Sequence, residues 1–430
     1  MKPIVESFDV LFSSRKSLLE GIESKIDWNE FPDPMVQHGV EIMKLISDFG
    51  YEAYVVGGAV RDIAMGDKNV HDIDIATNMP IAEIKSKFKT VEYGGGERHG
   101  TVIVHFKGND YELTQFRKDG DYSDGRRPDS VEFVNDFKED TARRDFTINS
   151  MGIDTDGNII DYHGGMNDIK SGTLKTVGNA EGRFTEDALR ILRAVRFAAR
   201  FDFKVDSETL EAIKRLKDTV TTTSIERIRD ELLKTIEYGG KKFGNALTLL
   251  ADTGLWSVII PEVALTPGKI TAVNRANVTN FKVNFSILFS DMAPNAVDEL
   301  TRRLKMTNDE TKSIVFIVTA LPLYAKLADL PKQKALSIVT SHDFPLIRAT
   351  YIALNGRDIE NVDDIIENIS RFKTIVDRQK SINSLINDLG FKGAAFGNAV
   401  KEVNKWLFTE FERGSTPSDE EIKTFLGNLK

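Results

Sequence analysis

Residues 54–75 constrain this chain more than any other stretch. Tyr54-Val55-Val56 reads as a short apolar strand that stops at Gly57-Gly58, and a helix starts at about Ala59. Paired glycines at a strand-to-helix junction let backbone N–H groups approach a phosphate at the helix N-terminus. Asp72-Ile73-Asp74-Ile75 follows. On a strand, Asp72 and Asp74 share one face while Ile73 and Ile75 share the other. Adjacent carboxylates repel unless cations lie between them, and oxygen ligands suit Mg²⁺. A phosphate cradle followed by a carboxylate pair points to nucleotidyl transfer with two metal ions. Taken singly, a Gly-Gly is commonly a turn and an Asp-x-Asp a solvated strand edge. Neither a Rossmann fingerprint nor a Walker loop occurs. Order and spacing along the rest of the chain must therefore carry the reading.

The length of 430 residues exceeds one ordinary core, and about two to four domains are expected. A content of 41% hydrophobic and 29% charged residues fits a folded globular protein rather than disorder. No apolar run reaches the length of a membrane span, and the acidic residues among positions 1–34 do not resemble a signal or transit peptide. Cysteine is absent, which removes disulfides, thiolate zinc sites and cysteine nucleophiles and fits the cytoplasm. With a net charge of −9, nucleic acid must be held by local basic patches rather than by a global positive field.

Residues 1–34 read as an amphipathic helical extension ending at Pro32-Asp33-Pro34, and 35–49 continue with helical periodicity to Gly50. From 51 to 165 the signals alternate. Strands are expected at 52–56, 72–76, 100–106, 110–116 and 158–162, and helices at 59–65, 80–88 and 139–150, which makes a compact mixed domain. After Gly178 helical periodicity dominates, with helices at 186–200, 207–217, 224–237 and 243–252 and a capping box at Thr307/Glu310. Further helical segments follow Pro331, at 359–389 and at 394–411. The expected class is α+β: a head over 35–177, a helical neck over 178–238, a helical body over 239–330 and a helical tail over 331–430.

Four more constellations bear on chemistry. Tyr111–Phe116 alternates like a strand and offers Glu112 as a third carboxylate, although a lone strand Glu is ordinarily solvated. Arg117 to Pro128 is charged, glycine-punctuated and aperiodic, and reads as a mobile loop beside the site. Arg143-Arg144-Asp145 places two guanidinium groups, the usual bidentate phosphate donors, before an apolar turn. In Glu186–Arg196, Asp187, Arg190 and Arg193 recur at i, i+3 and i+6 on one side of a helix, opposite Leu189, Leu192 and Val195. That face is either an ion-pair ladder or a reader of bases. Asp accepts from an exocyclic amine and Arg donates to a ring nitrogen, a pattern shared by cytosine and adenine and reversed in uracil and guanine. Arg196 drifts away from Asp187 on an ideal helix.

Together these stretches resemble class II tRNA nucleotidyltransferases (CCA-adding enzymes) and the closely similar bacterial poly(A) polymerases. The resemblance covers about residues 50–235. Gly57-Gly58-Ala59-Val60-Arg61-Asp62 with Asp72/Asp74 resembles the family's first motif, and the stretch around Asp119-Gly120 and Arg126-Arg127-Pro128 its flexible loop. Arg143-Arg144-Asp145 resembles the ribose-recognising motif, and Glu186-Asp187 with Arg190 the amino-acid template. The resemblance implies a polymerase-β-like head followed by an all-helical neck, body and tail. It implies addition of C, C and A to the tRNA 3′ end from CTP and ATP, with Mg²⁺ as cofactor. The implied roles are catalysis and metal binding for Asp72 and Asp74 with help from Glu112, and phosphate binding for Gly57, Gly58 and Arg61. Arg144 and Asp145 would contact the nucleotide, Glu186, Asp187 and Arg190 would read the base, and Arg193 and Arg196 would touch nucleotide or primer. Residues 393–427 resemble the tail that holds the tRNA elbow. Some relatives carry a C-terminal phosphohydrolase domain, which needs several histidines; His342 is the only one after His163, so no such metal site is expected. Poly(A) polymerase, a CC- or A-adding enzyme, and a catalytically silent tRNA-binding protein are the alternatives.

Overall fold

The computed structural model describes residues 25–70, 72–91, 100–120, 130–413 and 415–429. The chain divides into two compact units, one of Met1–Tyr238 with Lys242–Ala264 and one of Gly239–Lys241 with Leu265–Lys430.

The first unit opens on a 3₁₀ turn, Trp28–Glu30, where a continuous helix up to Pro32 was expected; residues 1–24 lie outside the described residues. Helix α1 (Pro34–Asp48) starts cleanly because Asp33 caps Met35 N–H and Pro34 needs no hydrogen-bond acceptor in the first turn. It buries Val36, Val40, Ile42, Met43 and Ile46. The strands are β1 (Ala53–Val56), β2 (Asp74–Thr77), β3 (Thr90–Val91), β4 (Thr101–Phe106) and β5 (Asn109–Gln115). The hairpin β6 (Arg117–Asp119) and β7 (Val131–Phe133) comes next, then β8 (Gly152–Ile153) and β9 (Ile159–Ile160).

Seven strands form one sheet in the order β3-β4-β5-β2-β1-β8-β9. β1 and β2 are antiparallel, with Val56 opposite Asp74, and β2 and β5 are parallel, with Asp74 opposite Glu112. This register puts the end of the glycine-terminated strand next to both carboxylate-bearing strands. One face of the sheet is sealed by Val56, Ala76, Phe116 and Phe137, with Tyr54 stacked on Phe137 at 4.2 Å. Helices α2 (Gly58–Ala64), α3 (Ile81–Lys87) and α4 (Phe137–Ala142) flank the sheet elements in sequence.

Two expectations are corrected here. The loop expected from Arg117 onward starts as a strand, because Arg117, Lys118 and Asp119 pair with Phe133, Glu132 and Val131; residues 121–129 lie outside the described residues. The helix expected over 139–150 stops at Ala142 and is followed by a separate 3₁₀ turn, Thr147–Asn149, because Asp145 turns its carboxylate onto Phe146 N–H.

Further along the same unit come α5 (Gly165–Ser171), β10 (Thr173–Leu174), α6 (Ala180–Glu186), α7 (Leu189–Phe201), β11 (Lys204–Val205), α8 (Ser207–Leu216) and α9 (Ile225–Ile236). The expected helix over 186–200 is broken at its start. Asp187 is extended (φ −144°, ψ 105°) and accepts the Leu189 N–H at 3.0 Å, so it restarts the helix rather than continuing it. Asp187 and Arg190 therefore do not share one helix.

The second unit is all-helical among the described residues, running from Pro267–Ala276 to Asp419–Gly427. The capping box of Thr307 and Glu310 forms as expected, and a second, Ser418 with Glu421, starts the last helix. The expected 359–389 segment is two helices, Val362–Asp377 and Gln379–Asp388. Their apolar faces serve different cores. One contains Ile317, Tyr324, Ile347 and Ile369; the other contains Ile382, Val403, Leu407 and Ile422. Among the described residues no helix is long and apolar enough to cross a membrane.

Candidate active site

The site begins at the end of β1. Gly57 has φ +75°, a conformation that side chains strongly disfavour. A Cβ built there would lie 3.5 Å from Asp74 Oδ2 and 3.9 Å from Arg144 Nη1. The glycine turn, a carboxylate and a guanidinium thus meet within one small volume. A Cβ on Gly58 would lie 3.4 Å from Arg61 Nη2, so Arg61 folds back beneath the turn.

Asp72, Asp74 and Glu112 form an acidic surface. Asp72 precedes β2 but keeps its alternation: Asp72 is exposed, Ile73 buried, Asp74 half-buried and Ile75 buried. Burial, then repulsion from Glu112 and Asp72, pushes the Asp74 carboxyl up to about 6, with Arg144 opposing. Partial burial and Asp72 push Glu112 up as well. Three carboxylates whose charges oppose one another suit a divalent cation. Among the described residues no three His, Cys, Asp or Glu side chains already converge as an ion cage.

Arg144 follows the end of α4 and is anchored back to it. Its Nη2 donates to Asp140 Oδ2 at 3.2 Å and its Nη1 to the Asn149 carbonyl at 3.4 Å, while its buried Nε has no partner among the described residues. Asp140 is fully buried, and Arg143 Nε donates to its Oδ1 at 3.0 Å. Burial raises the Asp140 carboxyl, but the two guanidiniums and the Arg117 N–H outweigh it and hold it below the usual range. The sequence reading passed over Asp140; its signal is an acid three and four residues before an Arg pair.

Asp145 accepts Arg193 Nε and Nη2 at 2.9 and 2.6 Å on Oδ2, and Asn149 Nδ2 at 3.1 Å on Oδ1. Burial pushes its carboxyl up, yet Arg193, Asn149 and Arg190 prevail and hold it at about 2. On the neck side, Glu186 receives Arg183 and Arg190. Arg190 also donates to the backbone carbonyls of Arg183 at 3.0 Å and Arg143 at 3.3 Å. These contacts occupy three of its five donors and leave Nε and one Nη2 hydrogen. The second oxygen of Asp187 accepts Arg227 Nη2 at 2.8 Å. Arg227, on α9, is another residue the sequence reading missed, because forty positions separate it from its partner.

Two residues expected at the nucleotide are buried and hold protein partners. Arg61, expected to reach phosphate, is 4% exposed, and its guanidinium is held by Asp62 and Asn149 and stacked 4.7 Å from the Phe201 centroid. Arg196, expected at nucleotide or primer, is 6% exposed and bonded to Glu231 at 2.6 Å and to the Tyr238 hydroxyl at 3.1 Å. In both cases an arginine packed against aromatic rings also has a carboxylate and a second polar partner for its guanidinium.

A family profile described as "Poly A polymerase head domain" matches residues 53–175, and one described as "Probable RNA and SrmB- binding site of polymerase A" matches residues 202–265. The CCA-adding enzyme of Lactobacillus johnsonii is 47% identical over 216 residues, a match that spans 50% of this chain and 53% of the relative, about half its length. That of Ligilactobacillus salivarius is 34% identical over 395 residues, 89% of this chain and 93% of the relative. Among solved structures, the Bacillus stearothermophilus CCA-adding enzyme in complex with CTP aligns with a TM-score of 0.69 at 27% identity, covering 92% of this chain and 98% of that one. The head-domain match places residues 53–175 in the polymerase head family. With the near full-length match, the chain belongs to the CCA-adding enzyme family.

Proposed function

We propose that the protein is a template-independent CCA tRNA nucleotidyltransferase that adds C, C and A to the tRNA 3′ end from CTP and ATP and releases pyrophosphate. The observation that carries this reading is the meeting of Gly57, Asp74 and Arg144 at one point. There a triphosphate can be met by backbone N–H groups and a guanidinium while an acidic surface lies alongside. Asp72 and Asp74, with Glu112 beside them, would hold Mg²⁺. Such ions would supply Lewis acidity for the 3′-hydroxyl and charge neutralisation for the triphosphate. Gly57 and Gly58 receive phosphate oxygens, and the spare Nε of Arg144 donates to phosphate or ribose. Asp187 accepts from the exocyclic amine of C or A, since a carboxylate bonded twice keeps further lone pairs, and Arg190 donates to the ring nitrogen with its remaining hydrogens. Glu186 fixes Arg190 in that position. The tail over 331–430 would grip tRNA, and the Cys-free chain and its bacterial relatives support a cytoplasmic location.

The test is direct. Purified protein is given tRNAs ending at the discriminator base, at C and at CC, with each nucleoside triphosphate separately. C, C and A addition with no run-on is expected, and Asp74→Ala should lose more than about a hundredfold in rate while still binding tRNA, because phosphate contacts elsewhere supply most of that affinity. Unlimited A addition would make the protein a poly(A) polymerase, and normal turnover by Asp74→Ala would move the site elsewhere.

A further inference from the structure

The three carboxylates occupy one side of their strands, and helix α1 packs on the other. The sheet ladder opens at Asp74, which stands opposite Val56 on one neighbour and Glu112 on the other. Asp72 and Ile73 precede that first pair, so the ladder itself does not set them. Ile73 and Tyr111, one position before Asp74 and Glu112, are both buried. They meet at Gly39, a buried residue in the middle of α1. A Cβ built on Gly39 would lie 2.9 Å from Ile73 Cγ2, 3.6 Å from Ile73 Cβ and 3.6 Å from Tyr111 Cε1. The Tyr111 hydroxyl donates to the Met35 carbonyl of the same helix at 3.0 Å.

A glycine inside a helix is less stable than an alanine there, so what Gly39 supplies is space. Carbon atoms in contact sit about 3.5–4.0 Å apart, and 2.9 Å is well inside that distance. The crowded atom is the branch methyl of a β-branched residue, which is stiff at χ1 and has no flexible end to swing away. A methyl added at Gly39 would therefore push on the backbone of Ile73. That backbone carries Asp72 on one side and Asp74 on the other, and its displacement moves both relative to Glu112.

We propose that Gly39 is a positioning residue: its bare backbone seats Ile73 and Tyr111 against α1 and so fixes the spacing of Asp72, Asp74 and Glu112 on the opposite face. The inference rests on the metal-binding reading of these carboxylates and adds a residue from the far side of the sheet. Gly39 touches neither cation nor nucleotide. Its replacement weakens divalent-cation binding and leaves the phosphate contacts of Gly57 and Arg144 in place.

The probe is Mn²⁺ alone, counted by the electron paramagnetic resonance signal of the free ion, on the full chain without tRNA. Asp74→Ala supplies the background of ions held elsewhere. Wild type is compared with Gly39→Ala, Ile73→Ala and the double variant, and thermal melting reports folding. Loss of a residue that orients metal ligands costs about tenfold in affinity, so Gly39→Ala should raise the Mn²⁺ Kd by that factor. CTP affinity measured without metal should keep its wild-type value, a split that general destabilisation would not produce. Ile73→Ala empties the same contact from the strand side and should also weaken Mn²⁺ binding, which keeps the test decisive if Gly39→Ala does not fold. In the double variant the added methyl meets only the Cβ of residue 73, at an ordinary 3.6 Å. That variant should bind Mn²⁺ more tightly than either single one. Wild-type Mn²⁺ affinity in either folded single variant would overturn the proposal, as would a double variant whose loss is the sum of the two. Equal losses of Mn²⁺ and CTP affinity would overturn it too. If wild type and Asp74→Ala bind Mn²⁺ alike, the metal-binding reading itself fails, whatever the Gly39 variants show.

Discussion

Asp187 has a neighbour that changes what its removal should do. Its carboxylate is shared between the Leu189 N–H and Arg227, so its orientation depends in part on α9. UTP presents a carbonyl where CTP presents an amine, which sets acceptor against acceptor. A buried unsatisfied polar group costs on the order of 1–3 kcal/mol, roughly tenfold to a hundredfold in discrimination. Asp187→Ala should therefore raise UTP use relative to CTP as well as slow addition. Arg227→Ala should erode the same preference more weakly, because Asp187 remains but loses one of its two anchors. Competition between CTP and UTP on one primer measures both; unchanged preference in both would make the pair a purely structural ion bridge. A second consequence at this scale is acid sensitivity. The Asp145 carboxyl is held at about 2 in the folded protein, below its ordinary 3.8. A depressed carboxyl contributes stability that is complete above its unfolded value and is lost as pH falls through the folded one, here between about pH 4 and pH 2. The contribution at neutral pH is on the order of 2 kcal/mol. The stability gap between wild type and Asp145→Asn, from urea unfolding, should narrow as pH drops from 5 to 3. A gap that stayed constant would show that the carboxylate charge is not what stabilises the fold.

The β6–β7 hairpin brackets residues 121–129, and its base is tied down. Arg117 Nε donates to Asp119 Oδ1 at 3.1 Å, and Asp119 lies 3.8 Å from Arg143. A deletion of 121–129 closed by a short turn would thus leave the pairing and the Arg143–Asp140 contact in place. We expect C addition to persist and A addition to be lost, since one pocket must adapt to two bases of different size. Equal loss of C and A addition would mark the segment as a general positioning element. The hairpin also shows how far a sequence can be read. The strand ending at Gly57, the carboxylate strand and the helix starting near 59 were legible because each has a sharp local signal: an apolar run, a two-residue alternation, a glycine stop. The strands at 117–119, 131–133 and 152–153 were not, since two- and three-residue strands have no period to detect and exist through their pairing partners. Asp187 was placed on a helix because the i, i+3 spacing ignores the carboxylate's hold on Leu189 N–H. Arg61 and Arg196 have partners that nothing local reveals, Asn149 and Glu231, 88 and 35 positions away.

At the scale of the molecule, a protein with a net charge of −9 is expected to handle a polyanion. Every residue given a role at the nucleotide, from Gly57 to Arg227, lies in the first unit, while the second builds its own two cores from its own helices. Chemistry and tRNA grip would then be divided between units, and separating them tests that division. A chain ending at Ala264 retains the sheet, the neck helices and all three carboxylates. It should bind CTP within about threefold of the full chain. Its KM for tRNA should rise at least about tenfold if the tail supplies phosphate contacts. The salt dependence supplies an independent reading. Each phosphate contact contributes roughly 0.7–0.9 to the slope of log K against log salt, so losing several contacts should flatten the slope as well as lower the affinity. A truncated chain with the same tRNA KM and the same slope would place the grip in the first unit. One that folds by circular dichroism yet no longer binds CTP would mean that the nucleotide site needs the second unit to be complete.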